Sequence, residues 1–207
     1  MTKAEKPYKP YRYSKPRSYR KLFLLAVEGK KTEKQYFSLP VLKSPTVRVE
    51  CLPSGSDSSP MDVLQRMKSR LREEGFKTKK DEAWLVVDRD SWKDDHLDTL
   101  HQWTTEKPSY HLAVSNPKFE YWLLLHFEDG HGVATAKECD ARLKKYLPNY
   151  NKSIDSTKIT REQIDKAIDR AILRNIPPCK NWPRDPGKTT VYILVKNILK
   201  ALYEQKT

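Results

Sequence analysis

The sequence predicts an α/β protein with a mostly parallel central sheet flanked by helices and a helical C-terminal third. Three observations lead there. The runs LFLLAV (22–27) and AWLVVD (83–88) are almost wholly apolar over strand length, which suits strands buried on both faces, as parallel sheets require. Strand-like and helix-like stretches alternate from residue 22 to residue 127. Beyond residue 135 only helical periodicity remains, and no linker sets that part off, so its helices are expected on the same core.

The first strand, 22–27, runs into Glu28-Gly29. Thr32 followed by Gln35 reads as a capping box, so a helix is expected from there. TVRVECL (46–52) alternates like a strand, and PSGSDSSP (53–60) is a loop. MDVLQRMKSRLREEG (61–75) places Met61, Leu64, Met67 and Leu71 at helical intervals, and Gly75 ends it. The strand at 83–88 follows, then a short helix over 92–103 and a strand YHLAVS at 110–115. NPKFEYWLLLHF (116–127) is expected to be a helix with Pro117 at its first position and Phe119, Trp122, Leu123, His126 and Phe127 on one face. Helices over 136–147, 160–174 and 188–204 complete the chain, the last with a stripe of Val191, Leu194, Val195, Ile198, Leu199 and Leu202.

Composition narrows the functional classes. Lys and Arg number 40 against 27 Asp and Glu, a net charge of +13 that favours a polyanionic partner, most often nucleic acid. The first 21 residues hold eight Lys or Arg, one Glu, four Tyr and three Pro. Their spaced prolines suggest an extended arm over 1–20 ahead of a single domain over 21–207. Cations interleaved with tyrosine suit phosphate neutralisation and base stacking; a solvated tail is the plainer alternative. Those first 21 residues supply +7, so the body is basic as well. Cys51, Cys139 and Cys179 are far apart, with no CxxC or His/Cys cluster, which argues against structural zinc and a disulfide framework. There is no apolar run long enough for a membrane span and no signal-peptide pattern, so a cytosolic protein is expected.

Against this basic background the acids at the strand ends stand out. The first strand ends in Glu28, the third in Asp88-Arg89-Asp90, and the fourth in Ser115-Asn116-Pro117 with Glu120 just beyond. Ligands of open parallel sheets bind beyond the carboxyl ends of the strands, where these residues would converge. Hard carboxylate oxygens are what Mg²⁺ or Mn²⁺ takes, and a metal would relieve their mutual repulsion. Each acid also has a structural reading: Asp90 as a helix cap near Ser91, Asp88 as an acceptor of loop amides, Glu33 as a complement to a helix dipole. Lys30, Lys31 and Lys118 lie beside the acids, where they would contact substrate phosphates or serve as ordinary surface lysines. His126, on the apolar face, is read as a packed histidine.

VEGKKTEKQYF (27–37), LVVDRD (85–90), SNPKFEYWLLLHF (115–127) and PGKTTVYILVKNIL (186–199) resemble the RloB family of Toprim-related proteins, from about residue 20 onward. The resemblance implies a Toprim-like fold and a Mg²⁺-dependent nuclease of bacterial or archaeal phage defence, often beside an ATPase partner. It further implies Glu28 as the Toprim glutamate, Asp88 and Asp90 as the DxD pair, Glu120 as a further metal ligand and Glu33 as a second acid of the first motif. Ser115 belongs to the same motif as Glu120 and is grouped with the substrate-binding residues. Relatives read closer to NPSTTVY where this chain has DPGKTTVY. Lys188 is thus particular to this chain, standing where a helix N-terminus would offer amides to a phosphate, either as a phosphate clamp or as a chance surface lysine.

The expected reaction is phosphodiester hydrolysis with one or two metal ions held by Glu28, Asp88, Asp90 and Glu120, with Glu28 or Glu33 as the alternative choices of general base. DNA and RNA, tRNA included, stay open as substrates, and a homodimer is compatible with the class. The competing expectation is a nucleic-acid-binding protein that hydrolyses nothing and acts with an ATPase. A primase-like nucleotidyl transferase is disfavoured because no zinc module is present.

Overall fold

A computed structural model describes residues 20–55, 59–73, 75–89 and 92–204. Five strands, β1 (Lys21–Val27), β2 (Val47–Cys51), β3 (Glu82–Asp88), β4 (Tyr110–Asn116) and β5 (Lys188–Thr189), form one sheet in the order β2-β1-β3-β4-β5. The first four are parallel, and β5 runs antiparallel to β4 at the edge. The helices are α1 (Thr32–Phe37), α2 (Pro60–Leu71), α3 (Asp94–Thr104), α4 (Phe119–Leu124), α5 (Ala136–Tyr146), α6 (Arg161–Arg174) and α7 (Val191–Tyr203).

The pleat divides each strand between two cores. Phe23, Leu25 and Val27 of β1, with Trp84 and Val86 of β3, face α1 and the helices α4 to α7. Leu22, Leu24 and Ala26, with Ala83, Leu85 and Val87, face Val63, Leu64 and Met67 of α2 and Leu97, Leu100 and Trp103 of α3. Both faces are covered, which is why β1 and β3 read as continuous apolar runs. The expected architecture is therefore present: an α/β fold with a mostly parallel sheet, consistent with a Toprim-like fold, whose C-terminal helices share the core. Among the described residues no helix is long and apolar enough to cross a membrane.

Several local expectations are corrected. Helix α2 begins at Pro60 behind a Ser59–Asp62 capping box, so Pro60, Val63, Leu64 and Met67 form the buried i, i+3, i+4, i+7 row and Met61 turns outward at 40% exposure. It also ends at Leu71, before Gly75. Thr32 does not cap α1: the cap position is Lys31, and the Thr32 hydroxyl bonds Tyr150 instead. Helix α4 starts at Phe119 rather than at Pro117, and all six of its residues are buried. It packs on β4, β5, α5 and α6, so it shows no single apolar face. Residue 188, expected at a helix start, lies in β5, and α7 begins three residues later at Val191. The expected arm, Arg20 apart, and Asp90 lie outside the described residues.

Candidate functional site

From β1 the chain crosses to β2 on one side, while β3 pairs on the other, so the strand order reverses between β1 and β3. Such a switch point opens a crevice beyond the carboxyl ends of the two strands. Glu28 and Asp88 stand there, one after β1 and the other at the end of β3. They are directly linked: Glu28 Oε2 accepts the Asp88 backbone N–H at 3.0 Å, and Glu28 Oε1 accepts Trp92 Nε1–H at 3.0 Å. Asp88 Oδ1 in turn accepts the Phe119 N–H at 2.8 Å, fastening the start of α4 to the end of β3.

Glu33 reaches the same crevice from α1. Its Oε1 accepts the Gly29 N–H at 3.0 Å, and it is 4% exposed, so it is an inward-facing acid rather than a surface complement to a helix dipole. The carboxylate lies so close to the Gly29 Cα that a Cβ at position 29 would fall 2.1–2.5 Å from its atoms. Glu120, on α4 and 2% exposed, completes the set. Its Oε1 accepts from Tyr150 Oη at 2.7 Å and from Lys152 Nζ at 2.6 Å, and its Oε2 lies 3.8 Å from Lys118 Nζ.

These four carboxylates line one cavity of about 430 Å³, together with Lys30, Lys31, Thr32, Asn151 and Lys152. Their charges are not equivalent. Burial, followed by the Glu33, Glu28 and Glu120 carboxylates, pushes the Asp88 carboxyl well above its ordinary range. Burial likewise raises Glu33, with Glu120 adding repulsion against the opposing backbone hydrogen bonds. Burial also opposes ionisation of Glu120, but the hydrogen bonds from Lys152 and Tyr150 and the nearby Lys118 charge outweigh it and hold this carboxyl low. The cavity therefore combines an ionised, lysine-paired acid with two acids that resist ionising together.

Of the residues singled out in the sequence, Glu28, Glu33, Asp88, Glu120, Lys30 and Lys31 come together in this cavity. Lys118 stands beside it, turned to Asp140 at 2.7 Å. Ser115 does not reach it: the residue is 1% exposed, and its hydroxyl bonds Thr189 Oγ1 at 2.9 Å between β4 and β5. Lys188 is also elsewhere, its Nζ 3.2 Å from Asp185. Tyr150, Asn151 and Lys152 were not foreseen, because they sit in a loop without periodicity whose link to Glu120 spans about thirty positions.

Among the described residues no group of three or more His, Cys, Asp or Glu is placed to hold a metal ion as it stands. A smaller donor set is present. One or two carboxylates completed by water and substrate phosphate are what Mg²⁺ ordinarily uses. Asp88 and Glu28 supply such a pair, and their hydrogen bonds leave lone pairs on each carboxylate. Burial and then the neighbouring carboxylates disfavour the Asp88 charge, and a divalent cation would offset both. Glu28 and Asp88 thus offer a donor pair of the kind that Mg²⁺ or Mn²⁺ takes.

An acid-lined crevice at the switch point of a parallel sheet, rimmed by lysines, defines an α/β protein with a polar candidate site. The chain belongs to the RloB-like protein family, whose model matches residues 23–198. No curated protein and no solved structure matches it.

Proposed function

We propose that this protein is a Mg²⁺- or Mn²⁺-dependent nuclease that hydrolyses phosphodiester bonds of DNA or RNA, with tRNA among the candidate substrates, and that it serves bacterial or archaeal antiphage defence with an ATPase partner. The observation that carries this reading is the meeting of Glu28, Glu33 and Asp88 in one lysine-rimmed cavity. Membership of the RloB-like family supports it. The metal, when bound, would supply a water of lowered pKa and a counter-charge for the phosphorane-like transition state.

The remaining work falls to the chain itself. Glu28 and Asp88 hold the ion. Glu33 is buried, its carboxyl raised above the ordinary range by that burial, and fixed on the Gly29 amide, which suits it to exchange a proton with the attacking water or the leaving oxygen. Lys30 and Lys31, exposed on the rim, draw the phosphate chain in. A second reading, nucleic-acid binding without hydrolysis, draws on the absence of a ready three-ligand cage among the described residues.

The deciding experiment incubates plasmid, single-stranded DNA and total tRNA with Mg²⁺ or Mn²⁺ and compares the wild type with an Asp88→Ala plus Asp90→Ala variant. Cleavage of one substrate by the wild type alone is the expected result. Tight binding with no cleavage, and Mn²⁺ affinity unchanged by the substitutions, would leave only the binding reading.

A further inference from the structure

Helix α5 ends at Tyr146, and the chain then crosses back over the acid cavity before α6. Residues 150–154 are clamped there from two sides. Tyr150 Oη bonds Thr32 Oγ1 at 2.9 Å and Glu120 Oε1 at 2.7 Å, and the Ile154 N–H donates to Gln35 Oε1 at 2.8 Å. Between these anchors Lys152 takes φ = +60°, and among the described residues it alone of the non-glycines has a positive φ. Lysine gains nothing locally from a left-handed backbone, unlike Asn or Asp, so the surrounding contacts hold it there. The result is an ammonium placed 2.6 Å from the buried Glu120 carboxylate while its side chain stays 57% exposed at the cavity.

A counter-ion for Glu120 requires neither feature. Lys118 already stands 3.8 Å from the other Glu120 oxygen and is only 14% exposed, so the buried charge has a second cation. An ammonium carries three donors, and one bond to Glu120 leaves two for an incoming anion. We propose that Lys152 is a phosphate-contacting residue of the cavity and that Glu120, Tyr150 and Thr32 are its positioning set. Glu120 then acts through Lys152. The assignment deepens the nuclease reading and rests on it for the identity of the phosphate as a nucleic-acid backbone.

The test measures binding of single-stranded RNA and DNA of about 12 nucleotides, a length within ordinary site sizes, in EDTA over a salt series. The full-length wild type is compared with Lys152→Met, Lys152→Gly, Lys152→Arg and Glu120→Gln. Loss of one phosphate contact lowers the slope of log K against log salt by about 0.7. Lys152→Met and Lys152→Gly are both expected to show that loss and a Kd raised about 5- to 10-fold, with Lys152→Arg retaining much of the wild-type slope. Glu120→Gln is expected to weaken binding less, because the ammonium remains but is no longer held. If the four single variants bind with the wild-type Kd and slope, or if the wild type binds neither oligonucleotide, the proposal is overturned. In the first case a melting temperature lowered by Lys152→Met and restored in Glu120→Gln/Lys152→Met would mark a simple counter-ion. Incubating the wild type with the same oligonucleotides in Mn²⁺ without EDTA separates the two claims: a salt-slope loss in the Lys152 variants with no cleavage by the wild type keeps Lys152 and counts against hydrolysis.

Discussion

Acidification is expected to destabilise the wall behind the cavity through His126. The side chain is 2% exposed, its Nε2 lies 3.1 Å from Tyr36 Oη, and its Nδ1 lies 3.0 Å from the Trp122 carbonyl. The neutral ring satisfies both, donating to the carbonyl and accepting from the phenol, whereas an imidazolium could no longer accept from Tyr36. Tyr36 belongs to α1 and Trp122 to α4, so this contact braces the two helices that carry Glu33 and Glu120. Burial, with Arg170 adding to it against the backbone hydrogen bonds, lowers the histidine from 6.5 to about 4. Because the folded value lies below the unfolded one, the unfolded chain binds the proton first, and stability present above pH 6.5 is lost as the pH falls towards 4. A gap of roughly 2.5 units corresponds to about 3 kcal/mol, a large part of an ordinary domain's 5–15 kcal/mol. Urea unfolding at half-unit steps from pH 7 to pH 4 measures it, with His126→Gln as the reference that keeps a donor and an acceptor but cannot titrate. The wild type should lose about 3 kcal/mol relative to His126→Gln across that window. Parallel curves would show that the histidine does not titrate differently in the two states and would refute the argument.

Two further outcomes follow from the cavity. Asp88→Asn keeps an oxygen for the Phe119 N–H while removing a charge that burial and three neighbouring acids disfavour, so scanning calorimetry should show a higher Tm together with lost cleavage; a lower Tm contradicts the electrostatic account. Gly29→Ala should cost about 1 kcal/mol in chemical denaturation, because its Cβ would meet the Glu33 carboxylate at 2.1–2.5 Å and push that side-chain end off the Gly29 N–H, and an unchanged midpoint would sink the claim of close approach.

How much of this was legible in the sequence depends on the range of the interactions. β1 and β3 announce themselves because both of their faces are buried, and Glu28 and Asp88 could be brought together because strand ends in a parallel sheet share an edge. Local patterns misled where a distant partner competed for the same group. The Thr32 and Gln35 side chains are shaped like a cap but are engaged by Tyr150 and Ile154, more than a hundred positions away. Ser115 sits at a strand end like Asp88, yet a fifth strand pairs over it and takes up its hydroxyl. Lys152 had neither motif nor periodicity to mark it, and only the return of its loop over α1 and α4 gives it a place.

The small strand β5 has a consequence for the order in which the molecule can be completed. Asn116 Nδ2 donates to the carbonyls of Pro183 and Arg184, the Gly187 N–H donates to the Asn116 carbonyl, and the Tyr121 phenol donates to the Gly187 carbonyl at 2.7 Å. Thr190 Oγ1 accepts the Val114 N–H and the Thr190 N–H returns to the Val114 carbonyl. The segment that presents Glu120 is thus clasped by residues made some seventy positions later. During synthesis the acids at positions 28, 33, 88 and 120 all emerge before that clasp exists. A nascent chain therefore carries every acid of the crevice without the frame that seats the last of them, and whatever chemistry the pocket performs waits until residues 183–190 have been made.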